Sequence, residues 1–237
     1  PIHEPMVRKN PIASAPAQQS MGDVAYRYLK QRIIEGELAP GAAVDEKQIA
    51  EMMGMSRTPV HEGVQRLEAE GFLAVLPRRG VHVRSLSPKD VGDIYDLLTA
   101  LEVYAVVLLA RRRPSPQELA PLQAAVDGME AALAQGDQAG WIAADERFHR
   151  GLLTLCGNER IASTGLAHRD RVQRAHTIAL RLRQQQGPAK SVNAHAALLA
   201  LIAAGDVERA RDAHLAQRER AGRELTDVIT HAGLKAL

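Results

Sequence analysis

Gly54–Gly71, GMSRTPVHEGVQRLEAEG, is the stretch from which the rest of the chain is best read. Its opening turn carries Ser56, Arg57 and Thr58, and the helix that follows places Val60, Val64 and Leu67 on one face. Gly71 stands where a left-handed residue closes a helix, a conformation in which a side chain would crowd the next carbonyl. A helix whose buried side is set by spacing, and whose first turn presents Arg, Ser and Thr, suits insertion into the major groove of duplex DNA. There the N-terminal residues of such a helix reach base edges and phosphates.

The neighbouring segments agree with this reading. A first helix is expected over Asp23–Glu35, with Val24, Tyr28 and Ile34 facing inward and Gly36 ending it. Asp45 can cap a short second helix, Glu46–Met53, that buries Ile49 and Met53 before Gly54 closes it. After Gly71, Phe72–Leu76 has the composition of a strand. Pro77-Arg78-Arg79-Gly80 then makes a turn, and Val81–Arg84 alternates apolar and polar as a return strand does. Three helices and a basic-tipped hairpin make a winged helix-turn-helix. Acidic and basic residues nearly balance over residues 20–86, so a DNA-facing surface must concentrate its charge through Arg57, Arg78, Arg79 and Arg84.

The run IIEGELAPG, DEKQIAEMMGMSRTPVHEGVQRLEAEGFL and RRGVHV resembles the DNA-binding domain of the GntR family of bacterial transcription regulators. The resemblance implies contacts to double-stranded operator DNA by Lys47, Ser56, Arg57, Thr58 and Gly80. His61 departs from the family pattern, which usually carries a second arginine there. A neutral imidazole offers one hydrogen bond where arginine grips guanine with two. His61 therefore implies a different base preference, a pH-dependent contact, or a side chain that only faces solvent or phosphate.

Composition bounds the remainder. A length of 237 residues allows two modest domains, and 46% hydrophobic residues suffice for a packed core. With aromatics at 3%, that core must be built from Ala, Leu, Val and Ile, which favours close-packed helices. The single cysteine, Cys156, excludes an internal disulfide and fits a reducing, cytoplasmic setting; its apolar surroundings read as core. No apolar run approaches the roughly 20 residues of a membrane span. Residues 1–19, rich in Pro, Ala and Gln, read as a flexible arm without the apolar segment of a signal peptide.

Residues 87–237 read as an all-α bundle of six antiparallel helices, near 88–113, 116–134, 138–155, 159–185, 189–204 and 207–232. Ser87-Pro88-Lys89-Asp90 and Ser115-Pro116-Gln117-Glu118 share one helix-start grammar: capping serine, proline at the first position, then an acid. Arg111-Arg112-Arg113 suits the negative end of a helix dipole. Asp145 and His149 stand four apart and share a helical face. His195 and His214 each lie about ten residues from the turn at Gly205-Asp206, roughly 15 Å along two antiparallel helices, which sets them side by side. One carboxylate and three imidazoles on facing helices suit zinc, nickel or manganese, with one or two positions left open.

DERFHRGLLTLCGNERI, NAHAALLALIAAGD and ARDAHLAQR resemble the FCD ligand-binding domain of FadR-like GntR regulators, in the six-helix, VanR-like form. That resemblance implies that Asp145, His149, His195 and His214 bind a divalent metal on the floor of an effector pocket, and that two chains pair as a homodimer. Many such domains place an effector-binding arginine in the first bundle helix. Here Asp96–Glu102 has none, so an anionic small-molecule effector would rely on the metal or on Arg171 and Arg174. The expected function is an operator-binding regulator, most often a repressor in this family. A regulator whose signal is the metal itself is the alternative. A metal-dependent hydrolase is disfavoured because Glu146 is turned about 100° from Asp145 and no HExxH motif is present.

Overall fold

The computed structural model describes residues 20–182 and 188–233. The expected arm at 1–19 and the expected end of the fourth bundle helix at 185 lie outside them. Helix α1 (Met21–Ile34) starts two residues earlier than its apolar pattern indicates, because Ser20 and Asp23 form a reciprocal capping box. Its inward stripe is Ala25, Leu29 and Ile33, which corrects the expected Val24, Tyr28 and Ile34. Tyr28 and Ile34 flank that stripe half-buried, and the Tyr28 hydroxyl accepts a 2.7 Å hydrogen bond from Arg32. A phenol that must reach a partner sits at the rim of a core.

Asp45 caps α2 (Glu46–Met53) through the Lys47 and Gln48 amides, and Gly54 closes it at φ 63°. Ile49 and Ala50 are its buried residues, with Met53 only half-buried. Helix α3 (Arg57–Ala69) buries Val60, Val64 and Leu67, as its spacing predicts, together with Gly63. Gly63 is required by geometry, since a Cβ there would stand 2.8 Å from the Tyr26 amide nitrogen of α1. The absent side chain lets α1 and α3 pack backbone to backbone.

Strands β2 (Leu73–Leu76) and β3 (Gly80–Val83) form the antiparallel wing, with Leu73 opposite Val83 and Leu76 opposite Gly80. A third strand not apparent in the sequence, β1 (Ala43–Val44), pairs with the other edge of β3. Two residues are too few for alternation to announce a strand; only pairing with β3 reveals it. At the tip, Arg78 has φ 62° and Gly80 φ 78°. That turn is a non-glycine left-handed residue holding an arginine outward.

The second half comprises α4 (Pro88–Arg112), α5 (Pro116–Gln135), α6 (Gln138–Leu155), α7 (Glu159–Leu182), α8 (Pro188–Ala204) and α9 (Val207–His231). Ser87 and Ser115 form the expected capping boxes with Asp90 and Glu118. Helix α4 is central, packing on α6, α7, α8 and α9. The main core runs through Val106, Leu109, Leu122, Met129, Phe148 and Leu152, with Cys156 in its wall. A second cluster joins Val91, Ile94, Tyr95 and Leu98 of α4 to Val172 of α7 and Leu225 of α9. The fold is mainly α, a winged helix-turn-helix followed by a six-helix bundle. Among the described residues no helix is long and apolar enough to cross a membrane.

Candidate metal centre and DNA-reading face

Asp145 and His149 project inward from α6, His195 from α8 and His214 from α9, and all are buried. The His149 and His195 Nε2 atoms lie 3.5 Å apart. An Asp145 carboxylate oxygen is 3.4 Å from the His195 Nε2 and 3.8 Å from that of His149. The other nitrogen of each ring has a partner: His149 Nδ1 lies 2.8 Å from Glu102 Oε2, and His195 Nδ1 lies 2.7 Å from the Ser191 carbonyl. Only a ring N–H can serve a carboxylate or carbonyl, so those contacts assign the proton to Nδ1 on both rings. Both Nε2 lone pairs and the Asp145 carboxylate then converge with no proton between them. Three acceptors around one point could hold a cation, and the donor set fits a divalent transition metal.

His214 stands beside this trio rather than within it. Its Nε2 is 3.5 Å from Glu102 Oε2, and its ring centroid is 5.8 Å from that of His149. That Nε2 is buried with no hydrogen-bond partner. His149 is common to both groups, Asp145 with His195 and Glu102 with His214. The Glu102 carboxylate orients the His149 ring as supporting carboxylates do at metal sites.

Glu102, fully buried, is also held by Arg169 of α7 at 2.5 Å, while Arg218 of α9 lies 3.6 Å away. Arg169 further grips Glu146 through Nε and Nη2 at 3.1 and 2.6 Å. Burial by itself would raise the Glu102 pKa, but Arg218, Arg169 and His149 hold it well below the ordinary carboxylate value. Asp145 is likewise penalised by burial, yet is held low by His149, His195 and His176. Burial, with Arg169, pushes His149 down to about 4 despite the opposing pull of Glu102. The neutral imidazole that a metal requires is therefore present well below neutral pH.

That depression has a consequence for the metal-free protein. Between the ordinary value of 6.5 and about 4, the unfolded chain protonates His149 while the folded chain does not. Stability therefore rises with pH across this window and is fully present above it, at up to about 1.4 kcal/mol per unit. Below it, the depressed Glu102, Asp145 and Glu146 carboxylates withdraw further stability as they protonate. Urea denaturation between pH 7 and 4 in chelator checks this; a flat profile from 6.5 to 4 would remove the neutral buried imidazole.

A small cavity adjoins the cluster, lined among others by Tyr95, Glu146, Arg169, Gln173, His176 and Arg218. The Tyr95 hydroxyl and the Arg218 Nε and Nη2 are buried with no hydrogen-bond partner. Arg171 and Arg174, the cations expected to meet an anionic effector, lie elsewhere. They line a crevice facing the winged helix, with Arg171 against Gly71 and Arg174 against Gly36. Helix geometry explains their placement: at 100° per residue, positions two and five beyond Arg169 turn away from the face that Arg169 uses. Glu102, Arg169 and Arg218 escaped the sequence reading because nothing local marks a charge as buried. The available signal was an acid inside the stripe Leu98, Glu102, Ala105 and Leu109, whose other members are all core.

On the winged helix, Lys47, Ser56, Arg57, Thr58, Arg78, Arg79 and Gly80 are all exposed. Ser56 caps α3 by position with no side-chain hydrogen bond, which leaves its hydroxyl available. His61 is exposed too, with its Nδ1 3.2 Å from the Glu46 carboxylate and its Nε2 3.1 Å from Gln65. This pairing couples the one unusual position of the recognition helix to α2.

A winged helix-turn-helix is a DNA-binding architecture, here joined to an all-helical second domain with a buried His–carboxylate cluster. The bacterial regulatory proteins of the gntR family match residues 22–83, and the FCD domain matches residues 93–217. The chain belongs to the GntR family and carries its FCD domain; it is a DNA-binding transcriptional regulator and not an enzyme. It is 35% identical over 194 residues to a helix-turn-helix regulator from an unstable DNA locus of Streptomyces ambofaciens, covering 79% of this chain and 78% of that one. A regulator from the ttuE-ttuC' intergenic region of Agrobacterium vitis is 42% identical over 131 residues, 54% of this chain and 77% of its own. The solved structure of McbR/YncC from E. coli shares the fold at a TM-score of 0.73 and 24% identity, over 91% of this chain and 100% of that chain.

Proposed function

We propose that this regulator is a repressor whose operator affinity is set by a small organic acid bound over a divalent metal, zinc first and nickel or manganese next, in the helical domain. The observation that carries the reading is the convergence of the His149 and His195 Nε2 lone pairs on the Asp145 carboxylate with no donor among them. Asp145, His149 and His195 would hold the ion, with His214 as fourth ligand from the adjacent group. When bound, the ion supplies positive charge that takes a ligand carboxylate or hydroxyl. The buried Tyr95 hydroxyl and Arg218 Nε and Nη2, which have no hydrogen-bond partner, offer it donors beside that charge. Relatives named as repressors of a D-xylose utilization operon in Paenarthrobacter nicotinovorans and of a gluconate operon in Bacillus licheniformis support repression.

Operator recognition would use a homodimer, two recognition helices meeting successive major-groove turns about 34 Å apart. Exposed Leu97 and Tyr104, a helical turn or two apart on α4, offer that dimer an apolar face. Residues 20–86 would serve as the reading unit and 87–237 as the effector and dimer unit, acting in the cytoplasm where the DNA lies. Selection of duplexes from a randomised pool should return a palindrome. Release of that duplex should then require a small carboxylate in the presence of zinc. Release by zinc alone would instead make the ion the signal. Absence of metal in the purified protein after zinc loading and dialysis would overturn the ligand cage.

Arg57→Ala is expected to weaken the selected duplex by about 1–3 kcal/mol through a lost base or phosphate contact, read by gel shift or anisotropy. Unchanged affinity would remove Arg57 from the interface. His61→Arg is expected to change the selected sequence with the fold unaltered, since it exchanges one hydrogen bond for a two-pronged fork. An identical consensus would place His61 off the bases.

A further inference from the structure

Residues 169 and 170 of α7 project about 100° apart, toward different partners. Arg169 faces the metal-side cavity and binds Glu102 and Glu146. Asp170 faces the winged helix, where its Oδ2 lies 2.8 Å from Lys30 Nζ of α1. Arg150 of α6 joins the two sides through one nitrogen, 2.5 Å from Asp170 Oδ1 and 3.5 Å from Glu146 Oε1. Beyond Lys30 the chain of charges continues 3.0 Å to Glu70, the residue that caps the C-terminus of the recognition helix. Tyr26 donates 2.8 Å to the same carboxylate, and the Lys30 ammonium stands 5.1 Å over the Phe72 ring.

The geometry points to this alternating series, Glu102, Arg169, Glu146, Arg150, Asp170, Lys30 and Glu70, as the device that couples the helical pocket to the recognition helix. It rests on the reading that the pocket binds an anionic ligand. All three of its cations are shared, Arg169 between Glu102 and Glu146. Arg150 Nη1 divides between Glu146 and Asp170, and Lys30 divides between Asp170 and Glu70. A ligand carboxylate that engages Arg169 weakens its hold on Glu146. Glu146 then draws Arg150, and Asp170, losing Arg150, draws Lys30 from Glu70. The end of α3 is thereby freed from its anchor. Partner exchange at shared cations is a two-state element that both the pocket and the DNA-reading helix can bias, which is what coupling requires. Its Lys30–Asp170 link lies part-buried between α1 and α7, where solvent screens charges less than at an open surface.

Hydrogen exchange on the full-length protein tests this without a known ligand. Glu146→Gln, Lys30→Met and the double variant form a cycle, read at the amides of residues 68–72 and 28–33. Coupling predicts that Glu146→Gln changes exchange at residues 68–72 about 3-fold or more in the wild-type background and leaves it unchanged beside Lys30→Met. Equal effects in both backgrounds would overturn the relay. Should Lys30→Met unfold the winged helix, Asp170→Asn takes its place, since it leaves the Lys30–Glu70 pair intact. Zinc then serves as the probe of the pocket, because an ion on His149 Nε2 strengthens the Nδ1–H bond to Glu102 and so shifts the balance between Glu102 and Arg169 at the head of the series. Its addition should alter exchange at residues 68–72 in the wild type and not in Asp170→Asn, with zinc affinity equal by calorimetry. A persistent response in Asp170→Asn would overturn the relay. Failure of zinc to bind the wild type would sink the proposed metal site, and the cycle would still decide the relay by itself.

Discussion

Arg169→Met is expected to destabilise the protein by about 3–5 kcal/mol, the cost of removing one partner from a buried ion pair. The side chain is 4% exposed and satisfies two carboxylates that no water reaches freely, Glu102 at 0% and Glu146 at 9% exposure. Methionine fills similar volume but returns neither charge nor hydrogen bond. Glu102 would keep Arg218, 3.6 Å away, and its contacts to His149 and His214. Because the damage is uncompensated negative charge, Glu102→Gln added to Arg169→Met should recover a substantial part of the loss. Chemical denaturation of the three variants in chelator at pH 7.5 measures both quantities. A loss below about 1 kcal/mol for Arg169→Met, in the range of exposed pairs, would mean that the pocket is wet and the pair screened.

His195→Ala combined with His214→Ala is expected to lower zinc affinity by more than about 100-fold. Loss of a mere supporting partner around a metal costs 10–100-fold, and direct ligands exceed that. The two imidazoles come from different helices, so neither truncation opens a path for the other to compensate. His195 also packs edge-on against Phe148 with centroids 4.7 Å apart, so some stability will be lost as well. His195→Gln with His214→Gln, which keeps more of that volume, separates the two effects. Elemental analysis after dialysis and competition against a chromophoric chelator give the affinity. Full occupancy in both double variants would place the ion elsewhere.

Much of this architecture was legible before any tertiary contact was known. The caps are chemical statements made within four residues: Ser87 with Asp90, Ser115 with Glu118, Asp45 before α2, and Gly54 after it. The recognition helix announced its buried face by the spacing of Val60, Val64 and Leu67. Asp145 and His149 were brought together by one helical turn. His195 and His214 are matched in depth across a tight hairpin between helices, and their ring centroids lie 5.3 and 5.8 Å from that of His149. Where the reading slipped, the cause was a partner distant in sequence. α1 rotated its stripe to Ala25, Leu29 and Ile33 because Gly63 of α3 packs against its backbone. β1 exists only because β3 offers it an edge.

Local chemistry thus determined the elements, their ends and the residues able to bind an ion, since capping, periodicity and i to i+4 spacing act over a few residues. Tertiary structure alone decided which charges are buried and against what. It set Glu102 beneath His149, turned Arg169 and Arg218 into the pocket, and sent Arg171 and Arg174 toward the winged helix. An arginine on a helix carries the same charge whichever way it faces. Its role follows from the neighbours that exclude water from it, and those come from helices far away along the chain.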